Sequence, residues 1–449
     1  MDRQISKKLE DWESTKERKV LLLQGARQSG KTHCINDFAK RFDQYLYFDL
    51  SNQKDWQIFK NKSSFADLLQ AMFSIREKQR NGLRSLIFLD NISDSPSAMN
   101  WLPSFHKEAN DLFVIASSSR DLKSIYKEEK DSDSGIESLL IYPYNFSEFL
   151  AVLGEDSSRN AFNEVPFPNN SFDKLIRFFH LYTLIGGMPE VVENYSKDRE
   201  LADLQPIYEK IMSLFQEESD TISPSKKSRE LNRDTFQNAF PYASMRISFH
   251  HFGNTSSRSR ETGRSFRTLE ELLLLNLVYP CTSTIMPTHP DKKKSPRLQL
   301  IDTGLVNYST GIQKQIFEVN DLLSIFDGQI ARHVVGQEIL AVGNGDATGL
   351  HFWVRDKAQS TAEVDFIILY EDLIIPVVLK SGEPGRLRSL HQFMDAAPHP
   401  FAVRLWAHQL SIQQAKTIKG KKFFLISLPY FLAGRIAEHL EGFIRLVKS

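Results

Sequence analysis

The stretch Gly25-Ala26-Arg27-Gln28-Ser29-Gly30-Lys31-Thr32 fits the pattern G-x-x-x-x-G-K-[ST], whose chemistry is the cradling of a phosphate chain. Gly25 and Gly30 permit backbone angles that bulky residues resist. The loop can then wrap an anion with its N–H groups turned inward, Gln28 and Ser29 forming part of the wrap. Lys31 would reach the β- and γ-phosphates of ATP, and the Thr32 hydroxyl would ligate Mg²⁺. Asp90 closes the apolar run Ser85-Leu86-Ile87-Phe88-Leu89, the position from which such a site holds its metal through an acid. Asn91 follows, where many such sites carry a glutamate that polarises the attacking water. An amide cannot take a proton, and general-base assistance contributes ~10²–10⁴ in rate. The pattern therefore predicts retained binding with slow hydrolysis, unless another acid such as Asp94 substitutes. Ser117, Ser118 and Ser119 end a further apolar run. Ser118 is the serine expected to meet the γ-phosphate or the lytic water, with Arg120 as a possible phosphate contact in cis.

A second set of charged residues lies near the C-terminus. Glu363-Val364-Asp365 occupies one strand-like run, and Lys380 ends the next, Ile375-Pro376-Val377-Val378-Leu379. Asp on one strand and x-x-Lys on the next resembles the PD-(D/E)xK nuclease core, where two acids hold Mg²⁺ and the lysine stabilises charge at the hydrolytic centre. Glu338, on the preceding helix, could supply a further acid. The second strand acid should fall two residues before the lysine, where this chain has Val378. That substitution removes a hard oxygen ligand. A glutamate restored at 378 is expected to raise Mg²⁺ affinity, or to destabilise the sheet if Val378 packs into it.

A third set is basic. Arg246, Arg258, Arg260, Arg264, Arg267, Lys292, Lys293, Lys294 and Arg297 cluster between 246 and 297, interleaved with serines that include Ser256 and Ser257. These are the residue types that contact DNA phosphates. The DNA contacts are expected from Arg258, Arg260, Arg264 and Lys292 to Lys294.

These residues need elements to hold them. Val20 to Leu23 reads as a buried strand before the phosphate loop, with helical text from Cys34 to Phe42 after it. Further strands are expected at Tyr45–Leu50, Ser85–Asp90, Leu112–Ala116 and Leu139–Tyr142, with an acidic loop, Glu128 to Asp133, before the last. Strands alternating with helical segments mean a parallel sheet covered on both faces, with ligands bound at the strands' carboxyl ends. Residues 1–18 read as a leader packed beside the first strand. Asn145 with Glu148 reads as a helix cap, 154–171 as a long loop, and 172–218 as helices broken at Gly186-Gly187-Met188-Pro189. A polar linker is expected over 219–234. Helices through Leu277 and a hairpin of Val278–Met286 with Arg297–Ile301 follow, which reads as a winged helix-turn-helix with a basic tip. The last unit is expected to hold a helix near Arg332–Val342, strands at Leu350–Val354, Glu363–Leu369, Ile374–Leu379, Phe401–Leu405 and Phe423–Leu428, and a final helix over Leu432–Leu446.

Composition bounds the reading. The chain has 449 residues, enough for roughly two to four domains. Lys plus Arg and Asp plus Glu are 56 each, so any basic surface is local. The two cysteines, Cys34 and Cys281, exclude a disulfide framework and suit a reducing compartment. The apolar runs are too short to span a bilayer. We expect a cytoplasmic protein that does not enter a membrane.

Together these residues resemble a prokaryotic family of AAA+ ATPases that joins a P-loop domain and a winged helix to a nuclease-like C-terminal domain of unknown function. The resemblance rests on the phosphate loop with its Arg27-Gln28 pair, on Tyr142 through Leu150, on Gly186-Gly187-Met188-Pro189-Glu190 and on Asp302-Thr303-Gly304-Leu305. Glu363-Val364-Asp365-Phe366 and Pro376 through Lys380-Ser381-Gly382 complete it. Asn91 and Val378 are the two departures. The resemblance implies a sheet in which the acid-bearing strand is separated from the phosphate-loop strand. It sets the expected organisation as an AAA+ domain over 1–150, a helical lid and linker over 151–234, a winged helix over 235–310 and a nuclease-like α/β domain over 311–449. The expected function is binding of ATP and Mg²⁺ with slow hydrolysis, the nucleotide state controlling DNA contact beside an inactive nuclease-like domain. The alternatives are an ATP-regulated nuclease and a nucleotide-gated scaffold for a protein partner.

Overall fold

The computed structural model describes residues 3–122, 135–250, 252–254, 258–313, 316, 319, 321–325, 328–343, 349–357, 360–380 and 387–448. The acidic loop over 128–133, Ser256, Ser257, Ser381 and Gly382 lie outside the described residues. The chain divides into two compact units: Met1–Pro143 with Glu270–Leu274, and Tyr144–Leu269 with Leu275–Ser449.

The first unit holds five strands, β1 (Val20–Gln24), β2 (Gln44–Asp49), β3 (Ser85–Asp90), β4 (Phe113–Ser118) and β5 (Ile136–Leu140). They form one sheet in the order β2-β3-β4-β1-β5, every pair parallel. Strand β4 lies between β1 and β3, the separation that the resemblance implied. Alternate residues of a strand point to opposite faces, so two apolar clusters result. Leu21, Leu23, Leu86, Phe88 and Ile115 pack with Ile5, Leu9 and Trp12 of helix Gln4–Ser14 and with Ile35 and Phe38 of helix Lys31–Phe38. Leu22, Ile87, Leu89 and Val114 pack with Leu68 and Met72 of helix Phe65–Ile75 and with Leu102 and Phe105 of helix Pro96–Glu108. The expected leader is therefore a helix in the cover of the sheet. Helix Pro96–Glu108 was not anticipated, although Ser95 caps it and Pro96 opens it, a recognised start signal.

The second unit begins with helices. Asn145 and Glu148 form the expected capping box of Phe146–Val152. Two expectations fail next. The region expected as a long loop contains helix Asp156–Asn163, which buries Ser158, Ala161 and Phe162; its polar text is a solvated face. The expected linker is helical apart from Ser223-Pro224-Ser225. Helix Gln205–Ile222 runs into it, and Lys226–Ala239 starts on a Ser225–Ser228 capping box and buries Asn232, Thr235, Phe236 and Ala239.

Helix Ser259–Glu271 precedes an antiparallel pair, β6 (Leu275–Val278) with β8 (Arg297–Leu300). This differs from the expected hairpin. The first strand ends at Val278, and Pro280-Cys281, as β7, pairs in parallel with β9 (His351–Val354) instead. The connection is thereby drawn into a seven-stranded sheet of order β13-β14-β12-β11-β10-β9-β7. The remaining strands are β10 (Glu363–Tyr370), β11 (Leu373–Leu379), β12 (Phe401–Trp406), β13 (Ser411–Lys416) and β14 (Lys422–Pro429). Strand β13 was missed because its text, Ser-Ile-Gln-Gln-Ala-Lys, is polar and it lies at the sheet edge, where no hydrophobic alternation is required. Helix Ile436–Lys448 closes the chain after a 3-10 turn.

Two of the quoted motifs meet in this unit. Asp302 accepts hydrogen bonds from the amides of Gly187 (2.7 Å) and Leu305 (3.0 Å). A Cβ on Gly186 would fall 2.2 Å from Asp302 Oδ1, so only glycine lets the break and the acid interlock. No helix among the described residues is long and apolar enough to cross a membrane.

Candidate functional site

The carboxyl ends of β1, β3 and β4 gather the phosphate loop, Asp90 and the serine cluster. Gly30 takes a left-handed conformation, φ 89°, which ends the loop and starts helix Lys31–Phe38. A Cβ on Gly25 would lie 2.5 Å from the Ile141 carbonyl oxygen, so the loop lies against the chain just past the end of β5. Lys31 Nζ donates to the carbonyls of Gly25 (2.7 Å) and Ala26 (2.9 Å), which bends the side chain back over its own loop. Arg3, buried at the start of the N-terminal helix, donates to the carbonyls of Ser29 (2.9 Å) and Tyr142 (2.8 Å). It ties the loop to the segment after β5. Sequence reading missed it because an arginine near a terminus carries no pattern.

Asp90 is the centre of the polar edge. Its Oδ2 accepts from Thr32 Oγ1 (2.7 Å) and Tyr47 Oη (3.3 Å), and its Oδ1 accepts from Ser117 Oγ and from the Asn91 amide (3.2 Å). Burial and the charges of Asp90 and Asp49 push the Tyr47 phenol up, which keeps it a donor. Here the serine expectation changes. Ser118 closes a turn, its hydroxyl donating to the Arg120 carbonyl and accepting from the Arg120 amide (2.9 Å each); Ser117 is the serine beside Asp90. Adjacent strand residues face opposite ways, so a run of three serines could not fix which one faces the acid. Asp94 pairs with Arg120 at 3.8 Å. Burial raises its carboxyl, the charges of Arg120 and Arg27 oppose that rise, and Asp49 adds to it.

The residues fit a bound phosphate chain and its metal. Two buried donors at this edge, Ser29 Oγ and Arg120 Nε, have no hydrogen-bond partner among the described residues. Thr32 and Asp90 bring a hydroxyl and a carboxylate together, and Mg²⁺ is ordinarily held by one or two such protein oxygens plus phosphates and water. When bound, the ion would neutralise developing phosphate charge.

Residues 17–150 match the family described as AAA domain. This part of the chain is an AAA-type P-loop domain. The AAA domain is followed by residues 176–316 and 327–430, which match two domains of unknown function, DUF8612 and DUF4143. Among solved structures, a Walker-type ATPase of Pyrococcus abyssi aligns at 13% identity and TM-score 0.45, covering 69% of this chain and 95% of that one. The ORC1 protein of Aeropyrum pernix in complex with DNA aligns at 11% identity and TM-score 0.31, covering 71% and 93%. A STAND protein with a tetratricopeptide repeat sensor from Pyrococcus horikoshii aligns at 13% identity and TM-score 0.29, covering 76% and 48%. No curated protein matches the chain.

Beyond the AAA domain, the expected metal acids are not gathered as expected. Asp365 Oδ1 accepts from Arg332 Nε (2.9 Å), its Oδ2 accepts from the Leu379 amide (2.9 Å), and its backbone carbonyl accepts from Arg297 (2.6 Å). Burial alone would raise this carboxyl, but Arg332, Lys380, Arg297 and the Leu379 amide outweigh it and hold it below its ordinary value. Glu363 pairs with Arg297 and, at 3.8 Å, with Arg246. The Lys380 charge reaches Asp365, but guanidinium groups occupy the acids. Val378 is 2% exposed and belongs to the apolar cluster with Val364, Ile367, Leu390 and Phe393. Among the described residues no group of three His, Cys, Asp or Glu could hold a metal ion.

Glu338 does not join this set. Its Oε1 accepts from Tyr182 Oη (2.7 Å) and the Phe146 amide (2.9 Å). Burial pushes its carboxyl up to about 8, against the Tyr182 and Phe146 hydrogen bonds. A raised folded value means that the folded state binds more protons than the unfolded chain between the ordinary glutamate value and about 8, so stability falls as pH rises through that window. Urea unfolding at pH 5.5 and 8.5 should show this loss for the wild-type second unit, and Glu338→Gln should largely remove the difference.

The basic residues divide. Arg258, Arg260, Arg264 and Arg267 are exposed, while Thr262, Gly263, Ser265, Phe266 and Leu269 form the buried face of helix Ser259–Glu271. Lys292 and Lys293 are exposed; Lys294 is half-buried and faces Asp356 (3.5 Å) and Asp291 (4.0 Å). Arg297 is buried in the acid pairs above, which corrects its expected place on a DNA-facing wing.

Proposed function

We propose that this chain binds ATP with Mg²⁺ at the phosphate loop, hydrolyses it slowly, and uses its nucleotide state to set how a winged helix-turn-helix engages DNA. The single observation that carries the nucleotide half is the cluster of Thr32, Tyr47 and Ser117 hydroxyls on the Asp90 carboxylate. The DNA half is supported by the helical spacing of Arg260, Arg264 and Arg267. They are four and then three residues apart and all exposed, so they share one face. Helices Gln205–Ile222, Lys226–Ala239 and Ser259–Glu271 followed by the β6–β8 pair have the order of such a module. A nuclease-like reading of the C-terminal part is supported by its element order: helix Gln329–Val342, antiparallel β9, β10 and β11, helix Arg388–Ala396, then β12 parallel to β11. With both oxygens of Asp365 taken, we read it as a scaffold rather than a metal-dependent nuclease.

The test is DNA binding by the full chain, followed by fluorescence anisotropy over a range of salt, with and without ATP. Replacing Arg258, Arg260 and Arg264 with alanine should weaken binding at least about tenfold at low salt. The salt slope should fall by about 1 for each phosphate that is no longer neutralised. An unchanged slope removes this helix from the interface. DNA binding that ignores ATP removes the nucleotide control, and no DNA binding with or without ATP leaves the nucleotide-gated protein scaffold in its place.

A further inference from the structure

The AAA domain lacks a glutamate after Asp90, but its fold brings another carboxylate to that place. We propose that Asp49 is the water-activating acid of this site, with Asn91 as its orienting partner. The inference rests on the ATPase reading above.

Asp49 ends β2 as Asp90 ends β3, and the two are paired in register across the sheet. Asn91 has φ 57°, a left-handed turn immediately after the strand. Its Nδ2 donates to Asp49 Oδ1 at 3.0 Å. The side chain at the usual glutamate position thus reaches a carboxylate instead of being one. Asp49 Oδ1 also accepts from the Ser51 amide (3.1 Å) and the Ser51 hydroxyl (2.7 Å). Three donors fix that oxygen, whereas no described residue donates a hydrogen bond to Oδ2. The strand end is itself held. The Asp49 amide donates to Asp55 Oδ2 (2.9 Å), Asp55 Oδ1 accepts from Arg76 (2.6 Å), and Arg76 Nε donates to the Tyr47 carbonyl (2.7 Å). Asp94, the acid named as the exception, is paired with Arg120, whereas Asp49 faces no arginine or lysine within ion-pair distance among the described residues. A carboxylate with one pinned oxygen and one open oxygen is built to take a proton in a fixed direction.

In the step, the water oxygen bonds to the γ-phosphorus as the bond from that phosphorus to the bridging oxygen breaks. The electron pair leaves with ADP, and the water proton passes to Asp49 Oδ2. The Asn91 side-chain carbonyl accepts from the second water hydrogen.

Asp49→Asn in the full chain tests this. ATP turnover should fall about 10²-fold or more, the lower end of general-base assistance. Equilibrium affinity for a fluorescent ATP analogue with Mg²⁺ should stay within about twofold, and affinity for ADP with aluminium fluoride, which captures the attacking water, should fall at least about tenfold. Asp49→Glu should keep a tenth or more of turnover. Adding Asn91→Glu to Asp49→Asn should restore at least about tenfold of the loss, since a carboxylate returns to the same place. A wild-type protein that binds ATP without turning it over, or a folded Asp49→Asn protein with wild-type turnover, overturns the assignment while leaving the binding reading intact. Wild-type protein that binds no nucleotide overturns the underlying reading instead. A melting curve separates a folded Asp49→Asn protein from an unfolded one. If Asp49→Asn does not fold, Asp49→Glu decides the question: turnover reduced about 10²-fold or more in that folded variant, which keeps the carboxylate, would overturn the assignment.

Discussion

Replacing Lys31 with alanine is expected to lower affinity for ATP by roughly 10²–10⁴-fold while the domain stays folded. Lys31 Nζ now donates to the Gly25 and Ala26 carbonyls, so its reach covers the loop that would wrap the phosphates. Two hydrogen bonds from an ammonium to phosphate oxygens contribute about 1.5–3 kcal/mol each, and each 1.4 kcal/mol is about tenfold in affinity. The fold loses little, because the sheet is held by the two apolar clusters on its faces rather than by the loop. Isothermal titration with ATP and Mg²⁺ reads the affinity, and a melting curve reads the fold. Wild-type affinity in the folded variant would remove the phosphate loop from nucleotide binding.

Val378→Glu is expected to unfold or loosen the C-terminal part rather than revive metal binding. Position 378 lies 2% exposed in an apolar cluster, and moving a polar group there without a partner costs roughly 2–7 kcal/mol. At about 3–5 kcal/mol the second unit's melting transition should drop by roughly 6–20 °C. No gain in Mg²⁺ affinity should accompany it, because Arg332 and the Leu379 amide already occupy both oxygens of Asp365. Val378→Thr, close to valine in volume, should fall between the two. A variant with wild-type melting and new Mg²⁺ affinity in calorimetry would mean that position 378 faces the acids after all. The valine at this place then has a physical reason. The register shift between Val364 and Ile367 leaves Val364 in the apolar cluster with Val378, while Asp365 turns to Arg332.

Asn91 shows the same division. From the residue type alone it reads as a missing base. The parallel pairing of β2 with β3 changes the meaning of the position, because it sets a carboxylate from another strand beside it. The clue was present, since Tyr45 to Asp49 is also an apolar run ending in an acid. Which two of several strand ends become neighbours is not written in any one of them.

By itself the sequence determined the phosphate loop, the alternation of strands and helices that makes a parallel sheet, and the capping box at Asn145. Each of these depends on local rules: backbone freedom at glycine, apolar runs of strand length, and hydrogen bonds made within four residues. It also determined that the excess positive charge lies between 246 and 297. Tertiary structure decided the partners. It turned Ser117 rather than Ser118 toward Asp90, and buried Arg297 against Glu363. It took Glu338 to Tyr182 rather than to Asp365, and drew Pro280-Cys281 out of the expected hairpin. Each of those outcomes depends on which face of a strand or helix meets another element far away in the chain. A charged side chain reads the same in sequence whether it meets solvent, a ligand or an opposite charge, and only the folded neighbours choose among them.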